Sequence, residues 1–163
     1  MKWRRFFVVA ALGGVALAIL NGWWPSDDKR ILRLLTSLAR EASAPAQGRT
    51  LSDLAGANRV ADHFAPEFQI NVHVPGEADV SISDRAELVQ AVLAAKSRQR
   101  DLQIELLDPQ TIDLGPASAV IEATARVQVS GEREPYVIEI RFTLVRIEAR
   151  WRVRQIENVQ TFE

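Results

Sequence analysis

Two histidines, one tyrosine and a surplus of arginine are the side chains of this sequence best suited to chemistry. His63 directly follows Asp62, and a carboxylate that fixed the tautomer of its ring would make it a general base near neutral pH. Neighbouring residues of a helix point about 100° apart, however, so Asp62 is badly placed to hold that ring. The simpler reading sets His63 against a helix C-terminus, where a cation is favoured. His73 alternates with Phe68, Ile70 and Val72 and so falls on the polar parity of a strand, as an exposed or rim histidine. Tyr136 shares the parity of Ile138, Ile140 and Phe142. A ring packed in the core with its hydroxyl satisfied at the core's edge accounts for it. Two histidines without cysteine and without His-x-x-x-His spacing do not make a metal site, and no glycine-rich phosphate loop or nucleophile elbow occurs, so no metal or cofactor is expected. Arginine outnumbers lysine 17 to 3. Arg150, Arg152 and Arg154 share one strand parity, a stripe able to hold an anionic partner. The alternative that needs no partner is cross-strand pairing with Glu122, Glu139 and Glu157.

The elements that must position these residues are legible in the spacing. Ser26-Asp27-Asp28 caps a helix over about 28–42, in which Ile31, Leu34, Leu35 and Leu38 recur on one face. A second helix is expected from Leu51 to Phe64, ended by Pro66. Alternation from Phe68 to Val74 predicts a half-buried strand closed by Pro75-Gly76. Asp84 with Glu87 resembles a capping box, and Leu88, Val89, Val92, Leu93 and Lys96 carry a helix on to about Arg98. The remainder reads as strands: Leu102–Leu106, then Ala119–Val129, then Tyr136–Leu144, then Trp151 onward after a tight turn at Glu148-Ala149. The parity slips at Gln155-Ile156, which predicts a bulge.

The first 24 residues stand apart. Lys2, Arg4 and Arg5 precede an apolar run from Phe6, and no acid occurs before Asp27. Residues 6–24 would span about 28 Å as a helix, close to the ~30 Å hydrocarbon core of a bilayer. Trp3 lies at one end and Trp23 and Trp24 at the other, as interfacial belts, and the basic residues 1–5 favour a cytoplasmic N-terminus. The expectation is a single-pass anchor in the inner (cytoplasmic) membrane, with residues 27–163 a domain on the outer, periplasmic side. The alternative is a signal peptide cleaved after Ala16-Leu17-Ala18, which exports the same domain by secretion.

Composition bounds the rest. With 47% hydrophobic and 25% charged residues and a net charge of −1, the chain is neither disordered nor of the strongly basic type that binds nucleic acid. The absence of cysteine excludes a disulfide scaffold and a cysteine-ligated metal.

Strands segregated from helices imply an α+β domain with about three helices on one face of a curved antiparallel sheet. At this point the chain resembles the nuclear transport factor 2-like superfamily, also called SnoaL-like or cystatin-like cone folds. The resemblance rests on the amphipathic helix around Ile31–Leu38, the helix opening Asp84-Arg85-Ala86-Glu87-Leu88, and the hairpin from Val137–Ile147 into Trp151-Arg152-Val153-Arg154-Gln155-Ile156. It covers about residues 27–163 and is one of topology. It implies an apolar pocket between the concave side of the sheet and the helices, in which enzymes of this fold place a carboxylate, a histidine or a tyrosine. No matching pair of acids falls on the buried parity here. The expected function is therefore a membrane-anchored, non-catalytic module that binds a protein or a small ligand, with homodimerisation through outward Val120, Val137 and Val145. The alternative is a pocket enzyme of the isomerase or dehydratase type using His73, Tyr136 or His63.

Overall fold

A computed structural model describes residues 26–43, 45, 48, 50–73, 79–98, 102–129 and 134–159. The predicted anchor (6–24), with Trp3, Arg4, Arg5, Trp23 and Trp24, and the turns at Pro75-Gly76 and Ser130-Gly131-Glu132 lie outside the described residues. In chain order the elements are α1 (Asp27–Ser43), α2 (Thr50–Ala61), β1 (Phe64–Val72), β2 (Val80–Ile82), α3 (Arg85–Arg98), β3 (Gln103–Leu114), β4 (Ser118–Gln128), β5 (Tyr136–Ile147) and β6 (Arg150–Asn158). The six strands form one sheet in the order β2-β1-β6-β5-β4-β3. All neighbours are antiparallel except β1 and β6, which run parallel.

Helix α1 forms where its stripe predicts. Ile31, Leu35, Leu38 and Ala39 are buried, Asp27 and Asp28 lie in the first turn, and Ser26 C=O accepts the first helical bond from Arg30 N–H at 3.2 Å. Asp84 caps α3 as expected, its Oδ1 accepting from the amides of Ala86 and Glu87 at 2.8 and 3.1 Å. Inward residues of β4 face larger partners on β5 in register: Ala123 opposite Ile140 and Ala125 opposite Ile138. Small side chains set against large ones let this half of the sheet bend without overpacking. Deeper in the core, Ile121, Leu144 and Val153 are fully buried.

Three boundaries differ from expectation for identifiable reasons. The second helix stops at Ala61 rather than Phe64, because His63 C=O accepts from Val153 N–H at 2.9 Å and draws the chain into the parallel ladder with β6. Pro66 then sits inside β1, where the β1–β6 register shifts between Phe64 and Gln69, so its missing N–H is not needed. Strand β3 likewise passes through Pro109 to Leu114, with a register shift between Leu107 and Gln110 and a positive φ of 47° at Asp108. The three-residue β2 is too short to leave a periodic signal. The expected bulge is present: the β5–β6 register shifts after Thr143↔Gln155. The turn at Glu148-Ala149 has positive φ at both residues (48° and 63°), the backbone shape that matches strand twist in two-residue hairpins.

Candidate functional site

The helices cover one end of the concave face incompletely, leaving a cavity of about 300 Å³. Its walls come from the C-terminal half of α1 (Leu38, Ala42), from α3 (Val92), and from the sheet where β5 begins and β6 finishes (Ile140, Phe142, Ile156). Every lining side chain is hydrocarbon. The volume is at the lower end of the ~300–1,000 Å³ typical of small-molecule sites. The walls offer no group to orient a carbonyl or move a proton.

The sequence-predicted polar residues lie elsewhere and do not converge. His63 directs Nε2 to Glu41 Oε2 at 3.1 Å, so its partner is a side chain in the last turn of α1. Asp62 turns away, as its helical spacing implies, and accepts from Arg85 Nη2 at 2.6 Å. His73 is 64% exposed by side chain and its Nδ1 pairs with Asp79 Oδ1, while its backbone is clamped by Asn158, whose amide donates to His73 C=O (2.9 Å) and accepts from His73 N–H (2.6 Å). This histidine–carboxylate pair borders a wide concavity that it shares with Ser81, Arg141 and Glu157. Tyr136 is half-buried at the start of β5, opposite Val127, and does not line the apolar cavity. Among the described residues no three potential ligands gather as a metal site.

The arginines divide into two groups. Arg141 is paired across strands, through Nε and Nη2 to Glu122 Oε1 at 2.9 and 2.6 Å, with Glu157 at 3.9 Å on its other side. Arg150 and Arg152 instead line a shallow cleft at the start of β6, together with Arg59, Asp62, His63 and Glu41. Arg154 is exposed and does not line that cleft. At the same end of the sheet Asp27 ties α1 to the β5–β6 hairpin, accepting from Trp151 Nε1 at 3.2 Å and Arg146 Nη1 at 3.3 Å, while the Arg146 guanidinium lies 5.9 Å from the centre of the Trp151 ring.

Sequence reasoning did not pick out Glu41, Asp79 or Arg59 as partners, because they meet the histidines and arginines only through the fold. It read Lys96 as a member of the α3 apolar stripe, without assigning it a partner. Lys96 is 5% exposed, and its Nζ donates to Glu41 C=O at 2.8 Å, a carbonyl in the last turn of α1, where helical carbonyls lack intrahelical partners. Burial, and after it the charge of Arg59, holds this amine below the ordinary lysine range. Its position on the buried stripe of α3 is the one signal that a polar partner was waiting there.

No family model matches the chain, and no curated protein matches it. Solved structures do. A proposed aromatic ring hydroxylase from Novosphingobium aromaticivorans superposes with a TM-score of 0.66 at 14% identity, over 86% of this chain and 93% of that one. A nuclear transport factor 2-like protein with a cystatin-like fold from the same organism gives 0.61 at 19% identity, over 89% and 85%. A proposed dehydratase of the nuclear transport factor 2-like family from Streptomyces avermitilis gives 0.62 at 13% identity, over 83% and 98%. Identities this low speak to fold and not to activity. With helices on one face of a curved sheet around an apolar pocket, and with these likenesses over most of its length, the chain has the nuclear transport factor 2-like, or cystatin-like cone, fold.

Proposed function

We propose that the domain is a non-catalytic binder of a small apolar ligand, held at the outer face of the inner membrane by residues 6–24. The observation that carries the binding half is the composition of the cavity wall: seventeen residues, none with a polar side chain. An apolar ligand there gains by leaving water at about 25 cal/mol per Å² of surface. The site asks nothing of it beyond size and shape. Titration of the full chain with the neutral probe N-phenyl-1-naphthylamine should give saturable fluorescence enhancement, and Ala125→Leu, which adds bulk to the wall, should abolish it. Enhancement unchanged by Ala125→Leu would place the probe elsewhere and count against the reading. The tether rests on the apolar run and its flanking Arg and Trp residues. Alkaline extraction of membranes should leave the protein in the pellet, whereas release to the supernatant would favour cleavage after Ala16-Leu17-Ala18. Self-association through the outer face of the sheet is supported by Val137, which is 61% exposed, and by Val120 and Val145, which share its outward parity toward the other end of the β4–β5 pair. Val137→Lys should lower the sedimentation coefficient if a dimer forms there.

One observation favours a second reading, a small enzyme of the isomerase or dehydratase kind: the His73–Asp79 pair, in a fold shared with a proposed dehydratase. Such a pair can act as a general base. It stands on an open surface, with Tyr136 and His63 outside its concavity. Turnover of any substrate that is lost in His73→Gln and kept in the cavity variant would establish this reading over the first.

A further inference from the structure

We propose that Arg59, Arg150 and Arg152 form a binding site for a phosphoryl oxyanion, separate from the apolar cavity. The three side chains come from the last turn of α2 and the start of β6 and meet in one cleft of about 580 Å³. Among the described residues their charge is unanswered. Each carboxylate of the cleft is already engaged, Glu41 with His63 at 3.1 Å and Asp62 with Arg85 at 2.6 Å. None of the three guanidiniums forms a hydrogen bond or ion pair among the described residues. Elsewhere on the sheet Arg141 has found Glu122 and Glu157, so the missing partners at this cleft are a local property and not a general one.

The surplus selects the ligand class. Guanidinium groups bind oxyanions through paired N–H donors, and three of them present more donors than one carboxylate can accept. A phosphate monoester near pH 7 carries about −1.5 to −2 charges and three acceptor oxygens, enough to engage all three. A carboxylate brings one charge and two oxygens and would leave a guanidinium unanswered. Arg59 and Arg150 are exposed and Arg152 half-buried, so the ligand reaches the site from solvent without any opening of the fold. The phosphate monoester could belong to a soluble compound or to a lipid whose headgroup ends in a phosphate, as in phosphatidic acid, and both present the same three oxygens.

The test uses the full chain in dodecyl maltoside, with the arginine Nε–Hε resonances followed by NMR at constant ionic strength. Inorganic phosphate should shift the signals of Arg59, Arg150 and Arg152 saturably and leave Arg154 and Arg126 in place. Arg59→Gln and Arg152→Gln should each weaken binding by about tenfold, and Arg154→Gln should leave it unchanged. Competition by monomeric dihexanoylphosphatidic acid that is stronger than competition by glycerol 3-phosphate would identify a headgroup as the source, and equal competition a soluble phosphate. The inference is overturned if the shifts fail to saturate, if acetate produces them equally, or if Arg154→Gln weakens binding as much as Arg152→Gln. Of the three replaced arginines Arg59 and Arg154 are exposed and Arg152 is half-buried, and none of their side chains holds a hydrogen bond or ion pair among the described residues, so their replacement does not endanger folding.

Discussion

Where β5 begins and β6 finishes, the side chains lining the apolar cavity are all hydrocarbon. Where β6 begins, the cleft beside α2 carries Arg59, Arg150 and Arg152. One strand supplies both regions, and the bulge in its middle is the reason. Before it, the odd-numbered Trp151 and Val153 point into the core and the even-numbered arginines point out. After it, the even-numbered Ile156 lies opposite Phe142 on the inward side. A single extra residue thus lets one strand serve an apolar interior at one end and a cationic surface at the other. The two concavities are independent as binding surfaces, since they share no residue.

That independence can be broken at the cavity first, where the largest effect is expected. Phe142 is 4% exposed and lines the cavity. Phe142→Ala should cost about 3–5 kcal/mol of stability, measured by urea denaturation, and should weaken apolar probe binding while leaving the phosphate titration of the folded protein unchanged. A parallel loss of phosphate binding would show that the two ends are coupled through the sheet.

The opposite end depends on Asp27. Removing its carboxylate strips Trp151 Nε1 and Arg146 of their acceptor and takes an acid from the first turn of α1. Asp27→Ala should therefore cost about 1–2 kcal/mol, with a change in tryptophan emission that Phe142→Ala does not share. A cost as large as that of Phe142→Ala would mean that the cationic end, and not the cavity end, anchors the fold.

The two regions were not equally legible in the sequence. The cavity end follows from periodicity: the stripe Ile31–Leu38, the alternation of Ala123 and Ala125 with Thr124, and that of Ile138 and Ile140 with Glu139 all report which side faces inward. What periodicity cannot report is whether the facing side chains meet or leave a void, because that depends on the curvature of the sheet. The cationic end was half legible. Arg150 and Arg152 share a parity that the sequence displays, whereas Arg59 reaches them only because α2 stops three residues before β1 instead of running on to Phe64. Arg154 belongs to the same parity and not to the cleft, since a parity fixes a side of the sheet and not a position along it. His63 and His73 each found a carboxylate, Glu41 and Asp79, 22 and 6 residues away in sequence, at spacings that no local pattern announces.

Lys96 ties α3 to α1 in the helix layer, outside both concavities, and its effect is smaller and depends on pH. Because burial lowers its folded pKa below 10.5, the unfolded chain binds more protons than the folded one in the window between the two values, so stability from this group rises as pH rises through that window. Below the lowered pKa the protein bears the full cost of burying an ammonium. Lys96→Met should change stability at pH 7 by no more than about 1 kcal/mol, as lost desolvation offsets the lost bond to Glu41 C=O. It should also remove the alkaline gain. A variant whose stability still climbs with pH as steeply as that of the parent would assign the gain to another group.

The smallest effect bears most directly on why the cleft is cationic. Arg85 donates Nη1 to Ala61 C=O at 3.0 Å and Nη2 to Asp62 at 2.6 Å, and both groups of this pair are largely exposed, so its loss costs under about 1 kcal/mol of stability. Its consequence for binding is indirect. Arg85→Gln releases Asp62, which already lines the cleft, to face Arg59 and Arg152 as an internal competitor for any incoming anion. Phosphate affinity should fall about threefold, and more steeply at low salt, where the freed carboxylate is least screened. Apolar probe binding should not change. Asp62→Asn in the same background should restore the affinity, because it removes the competitor that Arg85→Gln exposes. Failure of that rescue would mean that Arg85 contributes to the cleft's charge itself, and that the site extends further toward α3 than its three unpaired guanidiniums.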